Sequence, residues 1–292
     1  MSDALNRSSM VADHEQEIAA GERFSFGKNW QAFLAKVNEQ RIEIAIKSLQ
    51  SLIGRDDLAG TRFVDVGSGS GLFSLAARRL GAEVLSFDFD PRSVACTEEL
   101  RHRFQPDDPG WTVCTGSVLD SEFLTSLGHW DIVYSWGVLH HTGEMWQALE
   151  NIHSLVDKRG LLVLALYNDQ GRASRRWLRI KQYYNRLPKA LRWLIFGPAL
   201  IRLWGPTIIR DGLGGRPLAT WSSYTENSAR GMSPWFDLID WVGGLPFEVA
   251  KPEELLKFYR GCDFELLNLN TCAGGIGCNE FVFGSKGSLI ET

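Results

Sequence analysis

Phe63-Val64-Asp65-Val66-Gly67-Ser68-Gly69-Ser70-Gly71 is followed, about seventeen residues on, by Ser86-Phe87-Asp88. A short apolar strand runs into three alternating glycines, and Leu72-Phe73-Ser74-Leu75-Ala76-Ala77 then opens a helix. Glycine lets the backbone turn sharply and lets a ligand approach amides that a Cβ would cover. A second strand, Glu83–Phe87, delivers Asp88 at its end, where a carboxylate can grip a ribose diol. The pairing describes a nucleoside-containing cofactor lying across the carboxyl ends of parallel strands.

The spacing narrows the cofactor. A dinucleotide fingerprint reads Gly-x-Gly-x-x-Gly and sets a pyrophosphate on a helix N-terminus. Here it is Gly67-x-Gly69-x-Gly71, with Asp65 two residues before the first glycine. An acid there suits an ammonium-bearing ligand better than a diphosphate. The stretch resembles motif I of the class I S-adenosylmethionine-dependent methyltransferases. Asp88-Phe89-Asp90-Pro91-Arg92-Ser93-Val94 resembles the second motif of that family, which implies that Asp88 holds the ribose hydroxyls. Asp90, before Pro91, reads as a helix cap.

Thr112–Asp120 resembles the third motif, beside the adenine, except that Ser117 stands where many members carry an acid. That departure leaves Asp120 or the Val118 amide as the adenine contact. Asp131–Thr142, with Ser135-Trp136-Gly137-Val138-Leu139-His140-His141, resembles the fourth strand of the ubiquinone and menaquinone methyltransferase branch. The resemblance implies a following helix over Glu144–Val156, a Lys158-Arg159-Gly160 turn and a buried strand over Leu161–Tyr167. The implied S-adenosylmethionine site comprises Asp65, Gly67, Ser68, Gly69, Gly71, Asp88, Phe89, Ser117, Val118, Asp120, Ser135 and Trp136.

The expected fold is α/β: a Rossmann-like, seven-stranded, mostly parallel sheet with N-terminal helices and an insertion after the fifth strand. Polar residues 1–20 should be loose. Apolar residues at helical spacing between Phe24 and Leu52 predict one or two amphipathic helices, and the aromatic-rich Phe24–Trp30 belongs near the active-site mouth. The expected division is 1–60 N-terminal helical segment, 61–170 cofactor-binding core, 171–251 insertion or substrate cap, and 252–292 C-terminal helix with the last two strands. Pro252–Tyr259 starts as a helix should, and Phe264–Asn270 with Glu280–Phe283 reads as a hairpin pair.

An apolar share of 44% and a charged share of 23% are those of a soluble protein with a real core. Five cysteines without a Cys-x-x-Cys pair point to a reducing, cytoplasmic compartment and away from structural zinc. No apolar run approaches the roughly 18 residues of a membrane span, and no signal-peptide core opens the chain.

Residues 172–216 carry eleven basic side chains and one acid, a local charge of +10 in a chain of −4. Trp177, Tyr183, Tyr184, Trp193 and Trp204 are interleaved with them. Such a segment suits an anionic membrane surface, peripheral at the inner face. A cap over an anionic substrate competes with that reading. Nucleic acid is disfavoured by the overall negative charge and the lack of an RNA-binding motif, and a dimer interface completes the alternatives. Residues 224–248, with Trp235, Asp237, Asp240 and Trp241, read as a structured segment over the site or as buried scaffold.

For chemistry, His141 and His140 are the candidate bases, at the strand end toward which the methyl group should point. A histidine near its ordinary value of about 6.5 can assist deprotonation of a phenol or enol. No Asn-Pro-Pro-Tyr or Pro-Cys motif supports a base or amide acceptor, so a small or lipophilic acceptor, methylated at oxygen or carbon, is favoured. No carboxylate cluster compels a metal. A nicotinamide-dependent oxidoreductase and a non-catalytic cofactor-binding protein are the alternatives from other classes.

Overall fold

The computed structural model describes residues 15–227 and 233–285. Seven strands form one sheet in the order β3-β2-β1-β4-β5-β7-β6. In chain order they are β1 Arg62–Val66, β2 Glu83–Asp88, β3 Trp111–Thr115, β4 Trp130–Trp136, β5 Val156–Tyr167, β6 Phe264–Asn270 and β7 Cys278–Ser285. The first five run parallel, and β7 enters antiparallel between β5 and β6. Sequence order reverses at β1, whose neighbours β2 and β4 send their helices to different sides. Such a switch point opens a crevice at the carboxyl ends of the strands.

Strand alternation explains how the sheet is covered. Phe63, Ile132 and Val163 pack on one face with Phe33, Ile42, Leu49 and Leu75 from the first helices. Val64, Val133, Leu162 and Leu164 pack on the other with Leu149, Ile152 and Tyr259. Both faces are buried, which is why these strands read as nearly continuous apolar runs.

The helices on the first face are α1 Phe26–Leu34, α2 Glu39–Ile53, α3 Leu72–Arg79 and α4 Pro91–Phe104. Asn38 caps α2 by accepting the Arg41 N–H at 3.0 Å, and Gly54 closes it in the left-handed region. The second face takes α5 Ser121–Leu127, α6 Met145–His153 and α11 Pro252–Gly261. After β5 the chain adds α7 Arg172–Arg186, α8 Trp193–Leu213, α9 Ala219–Asn227 and α10 Pro234–Gly243. Trp177, Tyr184, Leu238, Val242, Leu245 and Phe247 give this addition its own small core.

Three expectations are corrected. Of residues 1–20, expected loose, 15–20 are helical, and 1–14 lie outside the described residues. The helix over Glu144–Val156 is shorter, Met145–His153. The Lys158–Gly160 turn is strand, because β5 begins at Val156 and a bulge between Trp130 and Ile132 lets the extra residues stay extended.

Candidate active site

A cavity of about 770 Å³ opens where the carboxyl ends of β1, β2 and β4 meet the added helices. Its floor is the glycine loop, with Gly67 at φ 80° and Gly69 at φ 58°. A Cβ on Gly67 would lie 2.3 Å from Val138 Cγ1, so the loop and the turn after β4 close on each other only without a side chain. Asp88 stands over the loop: one carboxylate oxygen accepts the Gly69 N–H and the other the Asp90 N–H, each at 2.9 Å. Asp65 lines the cavity from below. Its carboxylate ends a buried relay in which Trp111 Nε1 donates to Ser86 Oγ (2.8 Å), Ser86 to Ser74 Oγ (2.8 Å), and Ser74 to Asp65 (2.5 Å).

Asp90 caps α4 as the sequence suggests, accepting the Arg92 N–H at 2.9 Å. Its second oxygen accepts the Gly27 N–H at 2.9 Å and so moors α1 at the rim. Through that mooring Phe24, Phe26 and Trp30 reach the cavity, the place the aromatic run predicted.

Ser68, Gly69, Phe89, Ser117, Val118 and Trp136 line the same space. Trp136 is held by its Nε1 donating to Glu280 at 2.7 Å. Four candidates fall outside it. Asp120 is spent as the cap of α5, accepting the Phe123 N–H at 3.0 Å. Ser135 is buried and donates to the Val66 carbonyl at 3.1 Å, binding β4 to β1. His140 is fully buried with its ring 3.8 Å from that of Tyr167, behind the wall. Gly71 also drops out of the lining: it starts α3, packed against Thr97.

His141 does line the cavity. Its Nδ1 is 2.6 Å from the Pro246 carbonyl, which can only accept, so Nδ1 carries the proton and Nε2 keeps its lone pair. Burial pushes the imidazole down to about 3; the Pro246 hydrogen bond opposes this, while nearby Lys181 and Arg23 add to it. The ring is therefore neutral at physiological pH.

Arg23 was not singled out by its sequence context. It lines the cavity, donates to the His141 carbonyl at 3.1 Å, pairs with Glu17 and lies 5.3 Å from the Phe89 ring centre. Tyr167, Trp204, Tyr224 and Trp241 complete an aromatic chamber around His141. Tyr167 ends β5, a position a strand-end rule could have flagged; Trp204 and Tyr224 come from the addition, where no local pattern marks them. Asp237 accepts the Tyr224 hydroxyl at 2.7 Å, and Asp240 accepts from Asn29 Nδ2 at 2.7 Å. Among the described residues no group of three or more His, Cys, Asp or Glu forms a metal centre.

Known proteins place this geometry. Residues 37–204, more than half the chain, match the model of a methyltransferase domain family. The ubiquinone biosynthesis O-methyltransferase of Cereibacter sphaeroides (strain ATCC 17025) is 24% identical over 183 residues, 61% of this chain. The chain thus spans 65% of that relative's length. A ribosomal protein L11 methyltransferase of Alteromonas mediterranea is 45% identical over 53 residues, 18% of each chain. Among solved structures, magnesium protoporphyrin IX methyltransferase from Synechocystis PCC 6803 with bound SAH shares the fold. It superposes with a TM-score of 0.51 at 17% identity over 89% of this chain and 95% of that one. The strand order, the glycine loop and the extent of the family match agree, and the chain belongs to the methyltransferase domain family, on the class I S-adenosylmethionine-dependent scaffold.

Proposed function

We propose that this protein transfers the methyl group of S-adenosylmethionine to an oxygen or carbon of a small, lipophilic, quinone- or phenol-like acceptor. The observation that carries this reading is that one cavity joins the Asp88 glycine-loop end to the aromatic chamber around His141. S-adenosylmethionine supplies an electrophilic methyl on a sulfonium when bound. Asp88 would accept from the ribose hydroxyls, and the carboxylate of Asp65 faces the space suited to the ammonium end. Phe89 and the Ser117–Val118 backbone would flank the adenine.

On the acceptor side, the chain's task is alignment and exclusion of water. Phe26, Tyr167 and Trp241 supply flat apolar walls for a ring. His141 has a narrower role than that of a strong base. Taking a proton from a phenol of pKa about 10 onto a group at about 3 would cost on the order of 10 kcal/mol. Its Nε2 lone pair instead accepts the acceptor's hydroxyl hydrogen bond and aims the oxygen lone pair at the methyl carbon. The bound donor would supply the methyl that replaces the hydroxyl hydrogen, and the displaced proton would leave the Nε2 hydrogen bond for solvent.

The test is transfer of a labelled methyl group to a catechol bearing a short isoprenoid tail. Label in the extracted lipid-soluble product, absent in Asp88→Ala, supports the reading. Turnover of a peptide but not of this probe would overturn the acceptor class.

A second feature favours a membrane-borne acceptor reached peripherally. Arg172, Arg175, Arg176, Arg179 and Arg186 are exposed along one face of α7 and have no acidic partner among the described residues. On α8, Trp193 is 66% exposed, Ile201 71%, Ile209 65% and Leu213 87%. Leu203 and Trp204 of that same helix line the cavity. No helix among the described residues is long and apolar enough to cross a membrane, so this contact would be with a surface.

A further inference from the structure

Lys181 is the exception on its helix. The arginines of α7 face solvent, whereas Lys181 is 0% exposed, in line with buried Trp177 and Tyr184 one turn to either side. Its ammonium donates to the Trp241 carbonyl. It also lies over three aromatic faces, 4.6 Å from the centre of Phe247, 4.7 Å from Trp241 and 5.8 Å from Tyr167. Burying a charge costs several kcal/mol, and an apolar side chain of similar length would fill the same space without that cost. The site thus forgoes stability for an ammonium, and what that ammonium touches is the acceptor wall: Tyr167 and Trp241 both line the cavity.

Resting on the proposed function above, we infer that Lys181 is a positioning residue whose buried ammonium fixes Trp241 and Tyr167 as one wall of the acceptor chamber. Below about pH 7, where the amine holds its proton, cation–π attraction in this desolvated setting is worth about 2 kcal/mol, enough to select one ring arrangement. The titratable groups that face it come from three elements: Asp240 on α10, Tyr167 on β5 and His141 on the turn after β4. Asp240 attracts the ammonium and also accepts from Asn29 of α1, so α7, α10 and α1 meet around this charge. Asn185, one turn further along α7, donates to the Gly243 carbonyl at 2.7 Å and pins the same segment. Tyr167 stands between Lys181 and His141, its ring centre 5.3 Å from the imidazole. Burial pushes the ammonium down to about 7, partly offset by Asp240.

The experiment is fluorine NMR of the full chain labelled with 5-fluorotryptophan, the Trp241 line being assigned by Trp241→Phe. Lys181→Met is expected to broaden or split the Trp241 line. It should also raise KM for the isoprenoid catechol about tenfold and leave calorimetric S-adenosylmethionine affinity within about twofold of the intact protein. A Trp241 line unchanged by the substitution overturns the inference, whatever KM does. Should Lys181→Met lose cofactor binding through misfolding, Lys181→Gln, with a polar tip but no charge, is read by the same criteria. A wild-type chain that fails to methylate the catechol counts against the acceptor class alone, and the fluorine line still decides the role of Lys181.

Discussion

Gly67 and His141 show how single positions set what the site can do. At Gly67 the backbone sits at φ 80° with Val138 where a Cβ would be. An L side chain in the left-handed region costs about 1–2 kcal/mol before any overlap is counted. Gly67→Ala should therefore lower the melting temperature and abolish cofactor binding, read by thermal unfolding with and without S-adenosylmethionine. His141 is held neutral, at about 3, chiefly by burial. If its role is to accept and aim a hydroxyl, His141→Phe should lower kcat about a hundredfold while leaving cofactor affinity intact. A histidine acting as a titrating base would instead impose an acid limb near neutral pH on the rate, which the account predicts to be absent. That the glycine loop, Asp65 and Asp88 gather at one crevice is legible because it follows from short spacings. His141 is favoured over His140 in the sequence, and it is the one that lines the cavity, whereas the backbone turn after β4 sends His140 into the core. Asp120, an acid directly before Ser121-Glu122-Phe123, has the spacing of a helix cap, and it caps α5.

At the scale of elements, α7 is the informative helix. Composition assigned all eleven bases of 172–216 to one property, whereas helical spacing divides them: Lys181 shares its face with Trp177 and Tyr184, the exposed arginines share the other. That division was in the sequence, but the occupants of the inner face, Trp241 and Phe247, lie about sixty residues away and could not be paired with it. The strands fared better. β1 and β2 lie where the apolar runs before Gly67 and Asp88 place them, because buried parallel strands are continuous apolar runs ended by glycine or acid. The outer arginines make a prediction of their own. Each basic residue near an anionic surface contributes about 1 kcal/mol, so reversing Arg175, Arg176 and Arg179 to Glu should weaken vesicle binding by at least a hundredfold. Co-sedimentation with phosphatidylserine-containing vesicles at low and high salt measures this. Binding that ignores both salt and the reversals would leave α7 as a solvated cap.

For the whole molecule, the buried Lys181 and His141 shape stability against pH between about 3 and 10.5. Lys181 titrates at about 7 when folded and at about 10.5 when unfolded, so between those values the unfolded chain holds the extra proton. Stability then rises with pH across that window, with a slope approaching about 1.4 kcal/mol per unit. His141 acts alike at lower pH: from 6.5 down to about 3 the unfolded chain takes up a proton that the folded one refuses, and stability falls as pH falls. Denaturant titrations at pH 7 and pH 9 should show a gain at pH 9 in the wild type that is reduced in Lys181→Met. Both groups lie in the wall between the sheet and the added helices, beside the aromatic residues Tyr167 and Trp241 that line the cavity.

Binding of S-adenosylmethionine through Asp88, in the crevice at β1, β2 and β4, is what the proposed transfer requires first. Calorimetry with the methyl donor and its demethylated product measures that most directly. The intact protein should bind both at one site, and Asp88→Ala, losing hydrogen bonds worth roughly 1.5–3 kcal/mol each, should weaken them about a hundredfold or more. No binding by the folded wild-type chain, or equal binding by the variant, would contradict it.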